Sequence, residues 1–201
     1  AEPAKKRVLI FSPHPDDDVI SMGGTFDRLV SQGHEVHVAY QTSGNIAVSN
    51  SDVLKYIEVF QSFINKKDDE LISLLKFNNE ILNNKKVRTI ASLIREKESL
   101  GATRFFGVPD PNVHFLRLPF YETGSIKKST PTANDKKIMS NIISEIKPHQ
   151  IYVAGDLADP HGTHKVCLDI FFDVLQDLKN EKFMKDCWVW LYRGAWQEWP
   201  I

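Results

Sequence analysis

Val8-Leu9-Ile10-Phe11 is an unbroken apolar run, closed at once by Ser12-Pro13-His14-Pro15. Apolar at every position and too short for a helix, it reads as a strand buried on both faces, as in a parallel sheet covered on two sides. Pro13 and Pro15 end it, since neither offers an N–H to a ladder. A parallel neighbour requires a crossover, and the next residues supply one. Val19 to Gln32 sets Ile20, Phe26, Leu29 and Val30 at helical spacing, Gly33 suits the helix C-terminus, and Val36 to Tyr40 is a second strand. The first 45 residues are therefore a βαβ unit with a right-handed crossover.

The rest of the chain repeats the alternation. Residues 51–100 lack Pro and Gly and are rich in Lys, Glu, Asn, Leu and Ile. They predict two or three helices, broken near Lys66-Lys67-Asp68-Asp69 and Asn83-Asn84-Lys85-Lys86, with the charge runs as solvated helix ends. Thr103–Val108 and Val113–Leu118 read as short strands, and 119–132 as a polar loop. Ala133–Lys147 is a helix stopped by Pro148, Ile151–Ala154 a buried strand, the segment to about Leu178 a helix, and Cys187–Tyr192 a last strand. The pattern predicts an α/β, mostly parallel, doubly wound sheet with helices on both faces.

At 201 residues the chain fits one domain, 1–201, with residues 1–7 linker-like. Its 25 basic and 26 acidic residues give a net charge of -1, unlike a nucleic-acid binder, and no run reaches the ~20 apolar residues of a membrane span. Cys167 and Cys187 both sit in apolar-periodic segments and read as two buried thiols in a reducing, cytoplasmic compartment. The start at Ala1 fits either a domain excised from a longer protein or a cleaved leader. Trp188 and Trp190 are expected to pack one face of the last strand; Trp196 and Trp199 read by default as core, with an oligomer contact and a sugar platform as the alternatives.

Open parallel sheets bind ligands beyond the carboxyl ends of their strands, at the switch point. Two loops there carry metal-ligand residues: His14-Pro15-Asp16-Asp17-Asp18 after the first strand, and Asp159-Pro160-His161-Gly162-Thr163-His164 after the strand 151–154. Each alone has a plainer reading. Acids at a helix start are usually a cap and first-turn charges, and His-x-x-His recurs by chance. Both loops at strand carboxyl ends, with complementary ligand sets, point instead to a metal site. A catalytic zinc takes three His or carboxylate ligands and leaves a position for water, so two His and one Asp would leave an Asp as base and a His to spare. His34, His37, His114 and His149 have no companion ligands near them in sequence and read as strand-edge or surface histidines. No G-x-G-x-x-G, Walker A or G-x-S-x-G pattern is present.

Ser12-Pro13-His14-Pro15-Asp16-Asp17-Asp18, followed by Gly23-Gly24-Thr25, resembles the signature of the LmbE/PIG-L de-N-acetylases. Thr42-Ser43-Gly44 resembles that family's T-x-G, Arg95 to Gly107 its R-x-x-E…A…(L/F)-G segment, and His161-Gly162-Thr163-His164 its H-x-x-H. The resemblance spans about residues 7–180. It implies a Rossmann-like fold and zinc-dependent hydrolysis of an N-acetyl group on an N-acetylglucosamine-type sugar, with ferrous iron as the alternative metal. Carried over by position, His14, Asp17 and His164 would be the metal ligands. Asp16 would be the general base, His161 would stabilise the oxyanion or protonate the leaving amine, and Arg95 would bind substrate. Asp18 stands where Glu is commonest, so a supporting role behind the ligands is expected. The C-terminal third of many members has no counterpart here, which bears on substrate recognition. The chain also resembles the C-terminal domain of bacterial two-domain proteins whose N-terminal partner domain is like glucosamine-6-phosphate deaminase. Three functions follow: an amino-sugar de-N-acetylase, a sugar-binding or regulatory module without turnover, and, more weakly, a Mg²⁺-dependent phosphate-handling domain that leaves the histidines unexplained.

Overall fold

The structure, a computed structural model, describes residues 4–64, 84–123, 127–155 and 162–194. The predicted sheet is present. Strands β1 (Arg7–Ser12), β2 (Glu35–Tyr40), β3 (Val113–Phe115), β4 (Gln150–Ala154) and β5 (Trp188–Tyr192) lie in the order β3-β2-β1-β4-β5, every neighbouring pair parallel. The helices are α1 (Asp17–Ser31), α2 (Asn50–Ile64), α3 (Lys85–Phe105), α4 (Ala133–Ile146) and α5 (Thr163–Leu178).

Strand alternation sends side chains to two layers. Leu9, Phe11, Ala39, Ile151 and Val153 pack with α4 and α5 through Met139, Ile143, Cys167, Phe171 and Val174. Val8, Ile10, Val36, Val38 and Tyr40 pack with α1 through Met22, Phe26 and Leu29, and with Phe106 and Val108 just past α3. Helices α2 and α3 share a smaller cluster around Val53, Ile57, Val87 and Ala91. No described helix is long and apolar enough to cross a membrane.

Several local expectations are corrected. Thr103–Phe105 is the last turn of α3 rather than a strand. Its backbone stays in the helical ladder, the Thr103 hydroxyl donates to the Ser99 carbonyl at 3.0 Å, and Phe105 is 87% exposed. The strand expected over 113–118 stops at Phe115, because Arg117 turns into the left-handed region at φ 46°. Ile20 is exposed: α1 is kinked at Met22 (φ -139°, ψ 21°), so Ile20 leaves the face shared by Phe26 and Leu29. Trp188 and Trp190 are 68% and 50% exposed on edge strand β5, with Trp190 stacked on Tyr152; Trp196 and Trp199 lie outside the described residues. At the break expected near 83–86 a helix starts, with Asn84 capping α3 by accepting from the Lys86 and Val87 amides; residues 65–83, with the break expected near 66–69, lie outside the described residues. Cys167 is buried, Cys187 half-buried, and the two form no disulfide with each other.

The four histidines set aside divide. His34 and His149 accept backbone N–H bonds from Lys6 and Arg7. His37 and His114 do have companions: each other, with His37 Nδ1 and His114 Nε2 3.1 Å apart.

Candidate metal centre

The first crossover runs from β1 to β2 on one side, and β4 flanks β1 on the other. The crevice beyond the carboxyl ends of β1 and β4 is the switch point. After β1 the chain is tied to the end of β2: the Gln41 amide donates to the Ser12 carbonyl at 2.8 Å, and the Thr42 hydroxyl to the Pro13 carbonyl at 2.7 Å. This fixes the start of the His14 loop. On the far side, Gly162 turns at φ 70° into the first turn of α5, which carries the buried His164.

The two loops meet as the motif pattern requires. His14 Nδ1 and His164 Nε2 are 3.1 Å apart, and they stand 3.4 and 3.2 Å from Asp17 Oδ2. Among the described residues these three offer ligand atoms that all lie within 4.8 Å of one another. Corners of a tetrahedron around an ion with ~2.0–2.1 Å bonds stand ~3.3–3.4 Å apart. Two imidazole nitrogens and a carboxylate oxygen at that spacing fit a divalent transition ion in both geometry and donor chemistry.

The three aspartates have three environments. Asp17 is buried, which pushes its carboxyl up, but the hydrogen bonds and charges of His14 and His164 outweigh burial and hold it well below the usual carboxylate range. It also accepts the His14 amide at 2.8 Å. Asp18 is fully buried, and burial raises it to about 6 against the bonds it accepts from Tyr40 Oη at 2.8 Å and from Ser12. It lies behind the ligand cluster, joining β1, α1 and β2. Asp16 occupies the helix N-cap position yet makes no cap hydrogen bond. Its Oδ2 instead accepts from Arg95 Nη2 at 2.8 Å, so the capping role does not account for it.

Arg95 comes from α3. Its Nη2 also donates to the Pro15 carbonyl at 2.7 Å, and Nη1 reaches Glu98 at 3.4 Å. The guanidinium thus faces the crevice and pairs with a helix neighbour at once. Gly44 makes room for it. A Cβ there would lie 2.8 Å from Pro15 Cδ and 3.4 Å from Arg95 Nε, and its φ of 62° favours glycine.

Sequence reasoning missed Tyr121 and Glu122. The Tyr121 ring lies edge-on to His14 at 5.8 Å. Glu122 accepts from the Ser43 amide at 3.2 Å and from the Asn45 amide group at 3.4 Å, holding the loop after β2. The only hint was their place in a polar loop. His161 and Asp159 lie outside the described residues.

Comparison with known proteins identifies the family. The family described as PIG-L, GlcNAc-PI de-N-acetylase, matches residues 9–175. A glucosamine-6-phosphate deaminase-like protein of Bacteroides thetaiotaomicron is 52% identical over 215 aligned residues, covering 100% of this chain and 32% of its own length. A diacetylchitobiose deacetylase of Thermococcus kodakarensis is 24% identical over 200 residues, covering 91% of this chain and 72% of its own. Among solved structures, the N,N'-diacetylchitobiose deacetylase of Pyrococcus horikoshii superposes with a TM-score of 0.64 at 18% identity, over 94% of this chain and 61% of that one. That likeness is one of fold. The chain spans about a third of the length of the Bacteroides relative.

Proposed function

The chain belongs to the PIG-L family of GlcNAc-PI de-N-acetylases, and from that premise we propose that residues 1–201 act as one metal-dependent amidohydrolase unit, with Arg7, counted in the linker-like start, opening β1 instead, that removes the acetyl group from an N-acetylglucosamine-type sugar or conjugate. The observation that carries this reading is the spacing of His14, Asp17 and His164 at the switch point. Zinc is the preferred ion and ferrous iron the alternative; either would lower the pKa of a bound water and polarise the acetamide carbonyl.

The remaining work falls to the protein. Asp16, partly exposed beside the cluster, accepts the proton of the attacking water at a carboxylate oxygen. Arg95 orients that carboxylate through Nη2 and, by resemblance, also contributes to substrate binding. His161 is assigned to the oxyanion or the departing amine on the resemblance alone. Buried Asp17 and His164 keep solvent from the floor of the site. The reduced thiols fit work in the cytoplasm.

A second reading has one observation in its favour: the strong match to part of a longer glucosamine-6-phosphate deaminase-like protein. There the chain would be a sugar-binding or regulatory module without turnover. Metal analysis of purified protein, joined to amine release from N-acetylglucosamine, its 6-phosphate and N,N'-diacetylchitobiose, separates the two. Metal-dependent amine release from any of these supports the enzyme. Bound metal and sugar with no amine released supports the module.

A further inference from the structure

His37 of β2 and His114 of the edge strand β3 lie on a cleft of about 480 Å³ that Arg7, Glu35, Glu145 and Lys147 also line. Register explains their meeting. Ala39 of β2 pairs with His114 of β3, and His37, two residues before Ala39, projects from the same face. The small Ala39 side chain leaves space for the two rings, which stack at 5.4 Å with 15° between their planes.

The ring nitrogens are arranged by chemistry. His37 Nε2 lies 3.2 Å from Glu35 Oε1. A carboxylate there fixes Nε2 as the N–H and leaves Nδ1 with its lone pair toward His114. Such a carboxylate behind an imidazole is the usual support of a metal-binding histidine. The 3.1 Å gap between His37 Nδ1 and His114 Nε2 is close to the ~3.3 Å separation of two nitrogens on one tetrahedral ion.

We propose that His37 Nδ1 and His114 Nε2 form a second site for a borderline divalent ion of the zinc, cobalt or nickel class, with Glu35 as the supporting carboxylate and water completing the shell. Without the ion, the proton on His114 Nε2 fills the gap; on binding, that proton moves to His114 Nδ1 and the ion takes its place, so no net proton is released. The neutral ring is the one that ligates. Two cations share the cleft. Arg7 is engaged with the carbonyls of Ile146 and Lys147, and Lys147 carries its charge on a flexible stem. Glu35 and Glu145 balance both. The proposal does not depend on what the first site does.

The probe is zinc itself, titrated at neutral pH into chelator-stripped protein against a competing colorimetric chelator. Wild type should take up two equivalents, with one surviving in His164→Ala. His37→Gln and His114→Gln should each lose that surviving equivalent, and Glu35→Gln should keep it about ten-fold weaker. An unchanged zinc count in His114→Gln would overturn the site. Should either glutamine variant fail to fold, the imidazole nitrogen shifts of His37 and His114 in wild type decide: movement on adding the second equivalent supports the site, and unmoved signals exclude it.

Discussion

Arg95 Nη2 stands 2.8 Å from Asp16 Oδ2 and 2.7 Å from the Pro15 carbonyl, so one guanidinium from α3 holds both the side chain proposed as base and the backbone before it. Nη2 gives one N–H to each acceptor from the tip of a rigid planar group; a lysine ammonium has donors enough, but sits on a shorter, flexible stem that holds them in no fixed plane. Arg95→Lys should therefore lower kcat about ten-fold and Arg95→Ala about a hundred-fold, on the scale of a lost charge-assisted hydrogen bond. Bound metal should be unchanged in both. A rise in KM at constant kcat would instead assign Arg95 to substrate binding alone.

Asp16 and Asp17 are adjacent, yet Asp17 faces two imidazoles and Asp16 a guanidinium. Asp17→Asn should lose metal, since a neutral amide is a poorer partner for a divalent ion. Asp16→Asn should keep metal and lose ~10²–10⁴-fold in kcat, the range for a positioned general base. Metal content and deacetylation rate, measured on both variants, check the pair. Metal loss in Asp16→Asn with retention in Asp17→Asn would reverse the assignment.

Cys187 precedes β5 half-buried, and burial pushes its thiol up from 9.0 to about 11. The thiol is mostly neutral below that value and mostly ionised above it, so between the two values an unfolded chain carries mostly thiolate and the folded one mostly thiol. At pH 8 the folded protein should hold about a hundred-fold less thiolate than an unperturbed cysteine. Iodoacetamide labelling followed by peptide mass spectrometry should find Cys187 slow at pH 8, with a rate rising toward pH 11. Labelling as fast as in the denatured chain at pH 8 would refute the shielding.

What was legible in the sequence was local. The strand Val8–Phe11, the stop at Pro13 and the ligand-bearing loops are each set by neighbours within a few residues, and the switch-point rule brought His14 and His164 together. What was not legible depended on register and long-range packing. The His37–His114 contact follows from Ala39 pairing with His114, which no short window encodes. The grip of Arg95 on Asp16 spans 79 residues. Thr103 to Phe106 carries strand-favouring side chains, but α3 arrives with its hydrogen-bond ladder in place and runs through to Phe105. The sequence places Trp188 and Trp190 on one face of the last strand, but does not show that β5 is an edge strand, where both are largely exposed.

Gly44 and Gly24 give a matched test of whether the T-x-G resemblance rests on space. At Gly44 an added methyl would meet Pro15 Cδ at 2.8 Å, at a φ of 62°. The left-handed backbone alone costs an alanine about 1–2 kcal/mol, and the contact with a proline ring cannot be relieved by turning a flexible side chain. Something must shift, and what lies there is Pro15, between His14 and Asp16. Gly44→Ala should thus lower stability by about 2 kcal/mol or more and weaken metal binding together. Gly24, within α1, has nothing within 4 Å of an added methyl, so Gly24→Ala should be stabilising by about 0.5–1 kcal/mol through helix propensity and leave metal affinity alone. Urea unfolding and zinc titration on both variants read the two effects separately. If Gly44→Ala unfolds early but binds zinc as wild type does, the glycine serves the backbone turn only, and the Pro15 loop takes its shape from Arg95 and the end of β2 instead.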